Sequence, residues 1–239
     1  MKTRSVKWGI MVMALLSMAM PFTAKAQDKV EASVGADFVS NYIWRGTDCG
    51  GVSIQPSMGV SYKGLSLTAW GSVGIDKEDA REIDLTLGYN TGGFSVSVTD
   101  YWFSYHKEDG GYTGDYFKYG AHSTVHIFEA TLGYDFGPLA LSWNTYFAGD
   151  DYTKENGDRA YSTYVGISAP FKLGGLDWSV EVGLTPWEGA YANKFNVTNL
   201  TLKAEKEIKF TNSFSLPTFA QVTFNPHTQG AYFVFGVSF

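Results

Sequence analysis

The chain is short of the residues that usually hold an exported protein together or announce a catalyst. A single cysteine, Cys49, stands in 239 residues, so no internal disulfide can form and a sheet or core must hold the fold by itself. Charged residues make up only 18% and prolines number 7. Only one apolar run approaches helical membrane-span length, and it lies at the extreme N-terminus, which excludes a bundle of transmembrane helices. From Glu31 onward the 3.6-residue period of amphipathic helices is almost absent. Rings, by contrast, are plentiful: 17 Phe, 15 Tyr and 7 Trp. A hydrophobic fraction of 44% argues against a disordered chain. The mean hydropathy of −0.12 taken alone suggests a soluble one.

The first 26 residues read as a secretory signal peptide. Lys2, Arg4 and Lys7 make a basic start, Trp8 to Met20 an apolar stretch broken at Pro21, and Ala24-Lys25-Ala26 a small-x-small cleavage site before Gln27. Removing 1–26 takes four of the 18 basic residues and none of the 24 acidic ones, moving the net charge from −6 to −10. An acidic exported chain is a poor partner for nucleic acid. The remaining segment, 27–239, reads as one domain.

That domain alternates. In Val52 to Tyr62, Val52, Ile54, Pro56, Met58, Val60 and Tyr62 share one face, and Ser53, Gln55, Ser57, Gly59 and Ser61 the other. The next run repeats the pattern after a tight hairpin at Lys63-Gly64. Twelve such strands are expected, at 31–45, 52–62, 65–75, 82–90, 94–105, 122–136, 139–148, 160–171, 176–185, 195–208, 214–224 and 231–239. Short connections alternate with long polar ones, so every long loop falls on one rim. Even strand number, segments near ten residues and loops of alternating length predict an all-β fold: a transmembrane antiparallel up-and-down β-barrel in an outer membrane.

The chemistry of the two faces separates this from a soluble sandwich, whose solvent face would carry many charged side chains. Here the polar face is mainly Ser, Thr and Gly, with charge gathered in the loops. Three residues strain the pattern. Pro56 and Pro217 each remove a ladder donor inside a strand, for which local bulges are expected. Asp100 falls on the lipid face, and a bulge near Thr99 is expected to restore its parity. Trp102, Trp44 and Tyr42 are expected in an interfacial aromatic girdle. The final strand alternates to its last residue, Phe239, like the terminal strand that outer-membrane barrels present to their insertion machinery.

The segment Phe38-Val39-Ser40-Asn41-Tyr42-Ile43-Trp44-Arg45-Gly46, followed by Ile54-Gln55-Pro56 and Ala69-Trp70-Gly71-Ser72, resembles the start of porins of the TorF type, small Gram-negative outer-membrane proteins. The likeness covers roughly 36–76. It implies an outer-membrane barrel and says less about substrate. Cys49-Gly50-Gly51 departs from the pattern, so no loop function is carried over.

Register places Asp37, Trp70, Asp84, Glu129, Asn144, Glu181, Lys203 and Glu205 on the inner face near mid-strand, with Arg45 ending the first strand at the outer rim. Lys63, Glu82, Asp177 and Glu207 lie nearer strand ends. Carboxylates outnumber bases at mid-depth, which favours cations or neutral polar solutes over anions if the lumen is open. The alternative is an ion-pair plug in a non-conducting, structural or surface-binding barrel. Expected partners are outer-membrane lipid and lipopolysaccharide, the insertion machinery and small polar solutes. No cofactor or metal is expected, because the acidic loop Asp150 to Asp158 lacks the spacing of an EF-hand. A barrel lipid hydrolase is the third reading. It is disfavoured because His122 and Ser123, as chain neighbours on a strand, point to opposite faces and cannot act as base and nucleophile.

Overall fold

A computed structural model describes residues 29–105, 107, 113–121, 123–211 and 214–239; the expected leader at 1–26 lies outside them. The strands are β1 (Glu31–Val39), β2 (Tyr42–Trp44), β3 (Thr47–Gly50), β4 (Ser53–Tyr62), β5 (Leu65–Gly74), β6 (Arg81–Thr91), β7 (Phe94–Ser104), β8 (Ile127–Asp135), β9 (Ala140–Gly149), β10 (Thr163–Leu173), β11 (Leu176–Thr185), β12 (Asn196–Lys209), β13 (Ser215–Asn225) and β14 (Gly230–Ser238). All but β2 and β3 join one closed antiparallel barrel in which each strand pairs with its neighbours in sequence. It closes through β1 and β14, with Asp37 opposite Ser238 and Val39 opposite Gly236. Beyond that ladder, the terminal Phe239 N–H donates to the Ala36 carbonyl at 2.9 Å.

Closure gives the strands' backbone donors and acceptors partners within the sheet, so the wall can be apolar outside without stranding polar groups. Ile54, Met58, Leu67, Leu87, Leu132, Val180 and Leu202 point outward and are exposed, and their sequence neighbours point in. Rings flank this band. Tyr62, Tyr89, Phe94, Tyr134 and Phe171 stand near the rim of short turns, Trp143, Phe147, Trp187 and Phe224 near the rim of long loops. The last loop, 226–229, is no longer than a turn.

Three expectations need correction. The first strand does not run to residue 45: β1 ends at Val39, and 42–50 form a separate hairpin. Tyr42 and Trp44 therefore leave the expected girdle, while Trp102 remains on the outer face. No bulge forms at Pro56, where the β4–β5 ladder skips Gln55 and Pro56 without changing register. Nor does one form at Pro217, which pairs in step with Glu207 and lies just beyond the β13–β14 ladder. Each proline sits where one flanking ladder is interrupted, so its missing N–H costs little.

The third concerns Asp100. The β6–β7 and β7–β8 ladders run without a shift past Thr99, leaving Asp100 on the outer face, opposite Leu85 and Phe128. The loop returning to β8 covers it instead. His126, wholly buried, places Nδ1 2.7 Å from the Asp100 carboxylate and Nε2 2.7 Å from the Tyr116 carbonyl, with the rings of Tyr116 and Tyr119 packed against it. A partner near the rim makes an outward carboxylate tolerable where an isolated one would be costly.

The outer band should show the depth dependence of a wall in contact with hydrocarbon. Leu202→Arg at mid-strand is expected to cost about 2–4 kcal/mol and Ile208→Arg near the turn rim about 0–1 kcal/mol, measured by denaturant titration of the barrel folded in lipid vesicles. Equal costs would contradict that depth profile.

Candidate functional site in the barrel lumen

The hairpin β2–β3 turns on two residues, Arg45 and Gly46, both with positive φ (51° and 81°), the conformation of the tight turn that matches strand twist. This ribbon folds into the barrel. Its tip meets three strands, at Glu129 on β8, Thr198 on β12 and Asn225 on β13, each within three residues of its strand's long-loop end. Twelve strands enclose more space than side chains fill in an eight-stranded barrel, and the ribbon occupies part of the difference.

At the tip the Arg45 guanidinium forms a two-pronged pair with Glu129: Nη1 donates to Oε2 at 2.6 Å and Nη2 to Oε1 at 2.9 Å. Both side chains are only 1% exposed. Nη1 also donates to the Tyr191 hydroxyl at 2.5 Å, and the cation lies 4.3 Å from the Trp44 ring centre and 4.8 Å from that of Tyr164. The carboxylate is positioned independently of the arginine, since the Tyr101 hydroxyl donates to Oε1 at 2.9 Å. Fork-to-carboxylate bonding adds directionality to charge, and the ring faces stabilise a weakly hydrated cation.

Gly46 fits for a steric reason. A β-carbon there would sit 2.0 Å from the Thr198 carbonyl oxygen, and the φ of +81° is itself strained for any other residue. The Gly46 carbonyl accepts from Asn225 Nδ2 at 3.0 Å. The described ladders shift register at three places, and all belong to this contact. One is in the hairpin at Tyr42/Ile43, one beside Glu129 at Phe128/Glu129, and one at Gly183/Leu184, opposite Thr198. The barrel is regular except where the hairpin lands, as expected when bulges re-aim side chains at a site.

The predicted lumen residues Asp37, Trp70, Asp84, Glu129, Asn144, Glu181, Lys203 and Glu205 all lie on the inner face. Arg45 also lies inside, at the hairpin tip, level with the long-loop ends of β8, β12 and β13 and not at the end of the first strand. Glu181 accepts from the Tyr164 hydroxyl at 2.5 Å and from Asn199 at 3.0 Å. Asn144 joins Thr131 and the Tyr164 carbonyl. Lys203 pairs with Glu205 at 2.7 Å and lies 4.3 Å from the Phe219 ring centre. Trp70 packs on Tyr42 of the hairpin, and Glu82 lies in hydrogen-bond reach of Tyr42 and Asp84. Arg45–Glu129 and Lys203–Glu205 thus draw two of the acids into ion pairs; Asp37 lies within electrostatic reach of Lys203 and Glu181 of Arg45, while Asp84 faces other carboxylates.

Sequence reasoning missed the tyrosines. Tyr101, Tyr146 and Tyr164 occupy the inner parity of β7, β9 and β10, otherwise the place of small polar residues, and that parity was the available signal. Gly183 was another, since a β-carbon there would overlap the Tyr164 ring. Tyr191 comes from the loop 186–195, where no alternation points to it. Of the histidines, His106 and His122 lie outside the described residues, His126 binds Asp100, and His227 Nδ1 lies 3.1 Å from Asn196 Nδ2.

No family model and no curated protein matches the chain. Among solved structures it is similar to BamA from Haemophilus ducreyi lacking POTRA domains 1–3, at 11% identity and a TM-score of 0.39, covering 81% of this chain and 41% of that one. It is likewise similar to CdiB from Acinetobacter baumannii, at 13% identity and a TM-score of 0.40, covering 89% of this chain and 60% of that one. The chain spans less than two thirds of either.

Cys49, on β3, reports on the hairpin. Gly46→Ala is expected to lift the tip from Thr198 and accelerate maleimide labelling of Cys49 in the folded barrel. An unchanged labelling rate would show that the turn does not depend on this contact.

Proposed function

We propose that the protein is an outer-membrane barrel that passes small hydrophilic solutes, cations before anions, through a lumen narrowed by its own β2–β3 hairpin. The observation that carries this reading is the ribbon folded across the lumen and pinned by Arg45 to Glu129. A closed twelve-stranded wall with a ribbon inside is a constricted conduit, with Ser57, Ser66, Thr68, Thr86, Ser97 and Thr131 lining the wall toward the turn rim. Inner carboxylates at 37, 82, 84, 129, 181 and 205 exceed the inner cations at 45 and 203, which sets the preference for positive charge.

Location is supported by the apolar outer band between two sets of rings and by the expected leader at 1–26. The likeness of roughly 36–76 to TorF-type porins agrees with it. On this reading lipid and lipopolysaccharide surround the wall, and β14, which closes the barrel on β1, is the strand presented to the insertion machinery. Transport rather than catalysis is proposed, because the Asp100–His126 pair has its second ring nitrogen occupied by the Tyr116 carbonyl.

A second reading, a non-conducting barrel, is favoured by the deep burial of Glu129, Asn144, Tyr164 and Lys203. Planar-bilayer recording separates the two. Wild type is expected to give small cation-selective steps and Arg45→Ala steps several times larger. Silence from both proteins would select the second reading.

A further inference from the structure

We propose that the pocket gripping Arg45 is a binding site for guanidinium-bearing solutes, with the hairpin's own arginine as its resident occupant. This deepens the reading of the lumen as a passage and rests on it for its physiological meaning. Apart from Trp44, which the ribbon itself carries and would take away with it, the pocket's wall belongs to the barrel: Glu129 on β8, Tyr101 on β7, Tyr146 on β9, Tyr164 on β10 and Tyr191 from the loop 186–195. Its geometry is held from behind, by the Tyr101 hydroxyl on Glu129 and by the Tyr191 hydroxyl on that of Tyr146 at 3.1 Å.

The occupant arrives on a separate two-stranded sheet whose ladder, Trp44 to Thr47 and Ile43 to Asp48, is internal to the hairpin. Withdrawal of the ribbon would break the contacts at its tip and those of Tyr42 with Trp70 and Glu82, without opening the barrel ladder. The wall would then present a carboxylate flanked by hydroxyls and ring faces. Ring faces favour a planar, weakly hydrated cation over sodium or a compact ammonium, and a two-oxygen acceptor matches a fork of N–H donors.

The side of the guanidinium that is recognised narrows the class further. Both Nη atoms bond to the wall, whereas the buried Nε has no hydrogen-bond partner among the described residues. The wall therefore reads the terminal nitrogens and ignores the substituent, so any monoalkyl guanidinium presents the same face. Such a solute competes with Arg45, and occupancy by solute and retraction of the ribbon become one event.

The test is calorimetric titration of ethylguanidinium into the detergent-folded barrel. Arg45→Ala is expected to bind it at least about tenfold more tightly than wild type, whose own side chain competes. Glu129→Gln in the Arg45→Ala background should abolish that gain. Equal affinity of Arg45→Ala and wild type, or a gain that survives Glu129→Gln, overturns the proposal. Should Arg45→Ala fail to fold, Arg45→Gln serves in its place with the same expected gain, and its absence is equally decisive. Calorimetry reads the pocket whether or not the barrel conducts. Binding with silent bilayers overturns the passage alone, and conductance without binding overturns the pocket alone.

Discussion

A guanidinium and a carboxylate, each almost wholly withdrawn from solvent, meet inside this barrel, and neither would be tolerated there alone. Removing one partner of such a pair leaves a buried charge uncompensated, at a cost of about 3–5 kcal/mol. The pair therefore fixes where the ribbon ends and how Glu129 is oriented. It also accounts for the five rings gathered at one level of the lumen, Trp44, Tyr101, Tyr146, Tyr164 and Tyr191. Room for Tyr164 is made by Gly183 on the neighbouring strand β11. Even the irregularities of the sheet follow from it, since the shifts on β8 and β11 lie beside its two landing points.

The wall was legible in the sequence because a closed sheet with lipid outside and polar space inside imposes one rule on every strand. Parity carried from Ser53 and Gln55 to Trp70, Asp84 and onward around the barrel, so mid-strand positions such as Asn144 and Glu181 could be assigned without any contact being known. The same rule misled at residues 40–45. Tyr42 and Trp44 alternate as an extension of β1 would, and only the short Arg45-Gly46 turn marks a reversal. Alternation reports that a segment is extended and does not report which sheet it joins.

Asp100 shows the complementary failure. A carboxylate on the outer parity invites a bulge because the residues beside it in the strand offer no partner. The partner is His126, 26 residues further on, which the segment preceding β8 places over the wall. Tyr191 escaped for the same reason. Local pattern finds what a strand does to its own side chains; it does not find what a loop brings to a strand from elsewhere.

The placement of the ribbon near the start of the chain has a consequence for how the molecule is assembled. The hairpin's own turn is local and fast to form, but its anchors at residues 129, 191, 198 and 225 come from the later part of the chain. Contacts at such separations form late, after the entropy of closing long loops has been overcome. The ribbon starts from the loop rim, between β1 and β4, so it can enter from that end whether or not β1 has met β14. Docking of the tip thus waits on anchors that come later in the chain, and a segment made early finds its place only when the chain is nearly complete.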